Sequence, residues 1–212
     1  MKKAIFLNSG GPDALSALHL IKDKYEIHSL YIDAHLPNRI RAIPVAEKIA
    51  EECNCKTHKV WDIGECAIEE ARYINPKWHK IEEINGKKTN HVINIPFQGI
   101  VFYSLGSVYA ANLDTDIVIA GSKADIKSEV LGQLFNKWHE IMRMGNTINF
   151  ILPAYHLEEL QIKQLIGLYK NLKDYTVSCS HETACGICHK CKKKQKMKIK
   201  ELDLDETIFR KI

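Results

Sequence analysis

Apolar positions along this chain fall into short unbroken runs that alternate with longer stretches of helical period. Ala4-Ile5-Phe6-Leu7 predicts a buried strand, and Leu15, Leu18 and Ile21 share one face of a helix beginning near Asp13. A second strand is expected over Glu26–Asp33, with Asp33 near its carboxyl end, then a helix over Ala42–Cys53 with Val45, Ala46 and Ile49 as its apolar stripe. Lys56–Trp61 predicts a third strand. Residues 62–94 carry no clean period; Asn85-Gly86 marks a turn there, at the tip of a hairpin or of a loop over the site. Phe97–Asn112 is mostly apolar and predicts a buried helix, followed by a strand over Asp116–Gly121. A helix over Lys127–Met142, a strand over Asn149–Pro153 and a helix over Leu157–Tyr169 complete the pattern. Such alternation predicts an α/β fold, a parallel five-stranded sheet with helices on both faces. Ligands of such sheets bind beyond the carboxyl ends of the strands at the switch point, which would gather residues 9–13, Asp33 and Ser122–Asp125. The chain has no internal repeat and no low-complexity linker.

Composition narrows the class. A length of 212 residues suits one α/β domain, placed at 1–175, with a C-terminal segment at 176–212. A hydrophobic content of 45% with 26% charged residues is that of a soluble globular protein. No apolar run reaches membrane-spanning length and no signal-peptide pattern is present, so a cytoplasmic protein with no membrane partner is expected. The formal net charge is +4, but residues 189–200 carry seven lysines and no acid, which leaves −3 for the rest. That run reads as a solvated helix face. It could attract phosphate or RNA, yet without interleaved aromatics a base-stacking surface is not favoured.

Two stretches carry candidate chemistry. In Asn8-Ser9-Gly10-Gly11-Pro12-Asp13-Ala14, adjacent glycines let the backbone turn tightly and approach a ligand, and Asp13 is a candidate N-cap. The helix behind would point its N–H groups and positive dipole end at the loop, an anion site. An ordinary strand-to-helix turn is the competing reading. The spacing lacks the Lys-Ser/Thr ending of a Walker loop and the third glycine of a dinucleotide fingerprint. The second stretch holds Cys179, Cys185, Cys188 and Cys191, two Cys-x-x-Cys steps sharing Cys188 with a fourth thiol close by. Loops of this spacing place sulfurs tetrahedrally about 2.3 Å from zinc, a closed structural site. Unliganded thiols, an iron–sulfur cluster, a redox pair and His181 in place of one cysteine stay open. Cys53, Cys55 and Cys66 show no ligand spacing.

Ser9-Gly10-Gly11-x-Asp13 resembles the pyrophosphate loop of the PP-loop ATP pyrophosphatases. Together with the cysteine knot, the chain resembles the 7-cyano-7-deazaguanine synthase (QueC-like) family nearly end to end. Ile95-Pro96-Phe97-Gln98-Gly99, Asp116 through Gly121 to Asp125, Pro153 to Leu157 and Val177-Ser178-Cys179 match further family segments. The resemblance implies a ligase for nitrile formation. A 7-carboxy-7-deazaguanine carboxylate attacks the α-phosphate of ATP, ammonia displaces AMP to give an amide, and a second activation with loss of AMP leaves the nitrile. It further implies that Asn8, Ser9, Gly10, Gly11, Asp13, Asp33 and Gly121 meet ATP and Mg²⁺, with Ser9 and Asp13 in catalysis. Gln98, Lys123 and Asp125 would hold the base, the four knot cysteines Zn²⁺, and the protein would be a homodimer. For Asp33 and Asp125 a strand-end cap is an equal reading.

The pocket departs from the family. The loop's final serine is Ala14, with Ser16 nearby; Ala34-His35-Leu36-Pro37 follows Asp33 where a polar segment is usual. Gln98-Gly99 replaces an arginine-asparagine pair, the loop after Asp125 is altered, and Lys192-Lys193-Lys194 stands where an arginine is usual. Glutamine cannot supply a bidentate guanidinium. Two alternatives therefore stand beside the ligase: a homologue adenylating a tRNA base or a protein terminus, and a nucleotide-binding module without turnover.

Overall fold

The computed structural model describes residues 1–36, 38–64, 79–84, 87–92, 98–121, 148–155, 157–169, 176–179 and 191–192, and six positions between 130 and 140; residues 79–84, 87–92, 98 and 159 are described by backbone alone. Strands β1 (Lys2–Leu7), β2 (Tyr25–Asp33), β3 (Thr57–Asp62), β6 (Ile117–Ala120) and β7 (Asn149–Ile151) form a parallel sheet in the order β3-β2-β1-β6-β7. Strands β4 (His79–Ile84) and β5 (Lys87–Val92) pair antiparallel as a separate two-stranded sheet, and the turn expected at Asn85-Gly86 lies outside the described residues. Helices α1 (Pro12–Ile21), α2 (Arg39–Glu52), α3 (Gln98–Asn112) and α4 (Glu159–Gly167) cover the parallel sheet.

The two faces follow the period of the strands. On β1, Ala4 and Phe6 enter the core beneath α1, α2 and α4, with Leu15, Leu18, Ala46, Ile49 and Leu165, while Ile5 turns to the opposite core with Leu30, Val118 and Ala110 of α3. All three of these β1 residues are buried, as a central parallel strand with both faces covered requires. The helix expected over Phe97–Asn112 is present, but only one face is buried: Tyr103, Ser107 and Ala110 face inward, while Val108 is 51% exposed. Uniform apolarity concealed that one-sidedness.

The first helix begins a residue earlier than expected, and this moves its cap. Pro12, with φ already set for a helix and no N–H to satisfy, takes the first turn and Gly11 becomes the N-cap, without a side-chain cap bond. Asp13 is therefore not the N-cap; it lies in the first turn, where a carboxylate complements the positive end of the dipole. The helix expected over 127–142 falls largely outside the described residues. No described helix is long and apolar enough to cross a membrane.

Candidate nucleotide site

The loop leaves the carboxyl end of β1 between β2 and β6, the two strands that flank it on either side. Asn8 extends the ladder, its N–H donating to Leu30 O at 2.9 Å. Gly10 then takes φ +70°, and a Cβ there would stand 2.8 Å from Ala42 O of α2. Both facts demand glycine, one for conformation and one for space. Gly10 and Gly11 are buried, and Ser9 between Asn8 and Gly10 is exposed. Its hydroxyl and the amides of the first turn of α1, which have no partners within the helix, are the donors this end offers an anion.

The Asn8 side chain does not face outward with Ser9. It is 2% exposed, and all three of its polar contacts point inward. Nδ2 donates to Ala46 O at 2.8 Å and to Ser29 Oγ at 3.1 Å, while Oδ1 accepts the Gly10 N–H at 3.1 Å. Asn8 thus shapes the loop from beneath. Ser16 does not replace the missing serine at 14, because it is buried and its hydroxyl donates to Pro12 O at 3.0 Å. Ala14 is packed against Gly121 at the end of β6, where a Cβ would lie 2.5 Å from Ala14 Cα. Gly121 accordingly sets how closely β6 approaches the first turn.

Asp33 ends β2 and is 4% exposed. Its Oδ1 accepts the His35 N–H at 2.9 Å and its Oδ2 pairs with Arg39 Nη1 at 3.3 Å. His35 adopts φ +54° and lies 2.8 Å through Nε2 from Asp62 Oδ1, which also accepts the Gly64 N–H at 2.7 Å. That backbone bond, and then the bond from His35, hold the Asp62 carboxyl below its ordinary range. Asp33, His35 and Asp62 bring one ligand atom each within 4.8 Å of one another at the ends of β2 and β3. Tyr31 is pushed up to about 12, first by burial and then by the Asp33 charge.

Residues 176–179 are fastened onto the loop and α2. Val177, buried in the α1–α2–α4 core, donates its N–H to Gly10 O at 2.9 Å, and Arg41 Nη2 donates to Cys179 O at 3.3 Å. Cys179 and Cys191 are buried and packed together. Cys185, Cys188, Lys123, Asp125 and the side chain of Gln98 lie outside the described residues. Cys53 is buried with its thiol donating to Tyr169 at 3.6 Å, and burial raises it and Cys55 above the ordinary thiol value, consistent with bystanders. Sequence reading missed Arg39, Arg41, Ser29 and His58. The signal for the arginines was an Arg-x-Arg step directly after a strand's carboxyl end; the other two lie mid-strand and offered none.

A parallel sheet in this order, with a glycine turn running from its first strand into a proline-initiated helix, defines a PP-loop nucleotide-binding α/β protein. The sequence model described as "Queuosine biosynthesis protein QueC" matches residues 3–200, and the chain belongs to that family. A relative in Methanobrevibacter smithii named 7-cyano-7-deazaguanine synthase is 24% identical over 212 residues, covering 92% of each chain. One of the same name in Acetivibrio thermocellus is 25% identical over 205 residues, covering 90% of each. In fold, the chain is similar to a crystal structure described as that of a "predicted subunit of tRNA methyltransferase" from Methanocaldococcus jannaschii, with a TM-score of 0.52 and 20% identity over 79% of this chain and 75% of that one.

Proposed function

We propose that this chain is an ATP-dependent ligase that converts a 7-carboxy-7-deazaguanine carboxylate and ammonia to the 7-cyano compound through adenylates. The observation that carries the reading is the loop itself, with Gly10 held at φ +70° and Ser9 exposed at the mouth of α1 in a chain of the QueC family. Ser9, the Gly11 amide and the first turn of α1 would hold the phosphates, with Mg²⁺ shielding their charge and Asp13 orienting the loop or the metal's water shell. Asp33 would meet the nucleotide only by giving up or sharing its bonds to His35 and Arg39. Gly121 would line the floor. Gln98, Lys123 and Asp125 would hold the base, where Asp125 can accept two N–H bonds from a guanine-like edge.

The donor set fits zinc at the knot: two buried cysteines already pack together, and Cys185 and Cys188 would complete four. Bound there, zinc would supply structural closure at 176–212, leaving the chemistry to residues 1–175. A cytoplasmic homodimer is part of this reading, on family grounds.

Release of AMP from ATP and Mg²⁺, with and without 7-carboxy-7-deazaguanine and ammonium, tests it. AMP release that needs both and yields nitrile is the expected result. ATP binding with no AMP would overturn the ligase with this substrate and favour a binding module, for which the hydroxyl-free Ala14 and the inward-turned Ser16 already argue. Stimulation by another acceptor, a tRNA base or a protein terminus, would move the same adenylating chemistry to that substrate.

A further inference from the structure

The polar contacts beneath the loop do not stop at Asn8. Ser29 on β2 is 0% exposed, and its Oγ accepts one Asn8 Nδ2 hydrogen at 3.1 Å and stands 2.9 Å from His58 Nδ1 on β3. Ser29 and His58 are direct partners in the β2–β3 register, and Ser29 pairs with Phe6, two residues before Asn8. The result is a hydrogen-bonded row across three adjacent strands, from the sheet edge to the Gly10 amide, on the face covered by α2.

The Asn8 amide is fixed by the chemistry of its neighbours. A backbone N–H can only donate and Ala46 O can only accept, so the Asn8 amide fits one way round, with Oδ1 on Gly10 and Nδ2 on Ala46 and Ser29. Ser29 has one hydrogen. Its Oγ accepts from Asn8 and makes its second bond with His58 Nδ1, the direction of that bond following the His58 tautomer. His58 Nε2 is buried with no hydrogen-bond partner among the described residues, so Nδ1 is its working end. Ordinary packing would not need a three-residue polar row in a core where Phe6, Ile27 and Ile49 fill the same face; buried polar groups cost stability unless paired.

We infer that Asn8, Ser29 and His58 are positioning residues of the nucleotide loop, holding the Gly10 peptide with its N–H inward so that Ser9 and the Gly11 amide face the phosphates. This rests on the nucleotide reading for its purpose, though not for its geometry. None of the three would touch ATP. Gly10 therefore contributes shape to the loop and its N–H is not a phosphate donor.

The test is hydrogen exchange of the Gly10 amide in ¹⁵N-glycine-labelled protein, alongside calorimetric ATP·Mg²⁺ binding. Asn8→Ala, Ser29→Ala and His58→Leu should each speed Gly10 exchange about five- to tenfold, as loss of one bond in the row implies, with Gly106 in α3 unchanged. Conservative variants separate positioning from packing: Ser29→Thr keeps the hydroxyl and His58→Asn keeps a polar group where Nδ1 stands, so both should restore slow exchange. Asn8→Ala combined with His58→Leu should be no faster than Asn8→Ala alone. ATP affinity should fall with the same ranking. Wild-type Gly10 exchange in Ser29→Ala and His58→Leu, or equal acceleration in His58→Asn and His58→Leu, would overturn the proposal. Should the unaltered protein bind no ATP, the nucleotide reading fails while the exchange pattern still decides this one.

Discussion

At Gly121 the missing side chain is a distance constraint. A methyl group there would meet Ala14 Cα at 2.5 Å and Ala14 N at 2.8 Å, both backbone atoms that cannot turn aside. Gly121→Ala is expected to cost about 1–3 kcal/mol, the usual range for overpacking, and to push β6 away from the first turn of α1. Urea unfolding midpoints check the stability, and an unchanged midpoint would mean that the helix slides freely. Two histidines set a pH dependence. His19 is held below its ordinary value by burial and by Lys22, against Asp23; His58 is held low by burial, against Glu47 and Glu51. Folding disfavours their protonation, so as pH falls through about 6.5 the unfolded chain takes up protons first and stability is lost. The urea midpoint should hold near pH 7.5, drop by pH 5.5, and drop less in a His19→Gln/His58→Asn variant; an equal drop would assign the effect to other groups.

Among the elements, α4 shows how little a helix start depends on its own apolar face. Glu158 is its N-cap, and a reciprocal capping box joins Glu158 to Gln161, whose Oε1 accepts the Glu158 N–H at 2.8 Å. Gln161→Ala should cost about 0.5–1 kcal/mol, as other caps do, measurable by the same unfolding assay; no loss would mean that Leu165 and Ile162 alone dock the helix. The Glu158–Gln161 spacing was present in the sequence, yet the apolar period alone set the expected start at Leu157. Helix α1 offers the opposite case. Its N-cap is a glycine, so the helix start carries no cap side chain, and the loop is held instead by Asn8 from below and Val177 from the side.

For the whole molecule, the consequential contacts join residues 176–179 to elements from the first quarter of the chain. The Val177 N–H on Gly10 O ties residues 176–179 to the loop after β1, and the Arg41 guanidinium on Cys179 O ties Cys179 to α2. If zinc closes the knot, its removal should loosen that tie: chelation is expected to release about one zinc per chain, lower the thermal midpoint by several degrees and weaken ATP binding. A colorimetric zinc assay with thermal scans checks this. Release of metal with unaltered ATP affinity would separate knot from loop.

The sequence by itself determined the five strands of the parallel sheet, the parallel class and the family, because short apolar runs, glycines at a forced turn and spaced cysteines are local constraints that leave local marks. It did not mark β4 and β5, whose mixed charged and apolar residues carry no period. Tertiary structure alone decided which way each side chain of the loop turned. Asn8 reads in sequence as a loop residue beside a phosphate site, but the buried acceptors at Ser29 and Ala46, 21 and 38 residues away, outcompete solvent for its amide. Asp33 was legible as a strand-end carboxylate, while its partner Arg39 depended on where α2 begins. Hydrogen-bond partners drawn from distant strands are set by packing, and no spacing along one chain segment encodes them.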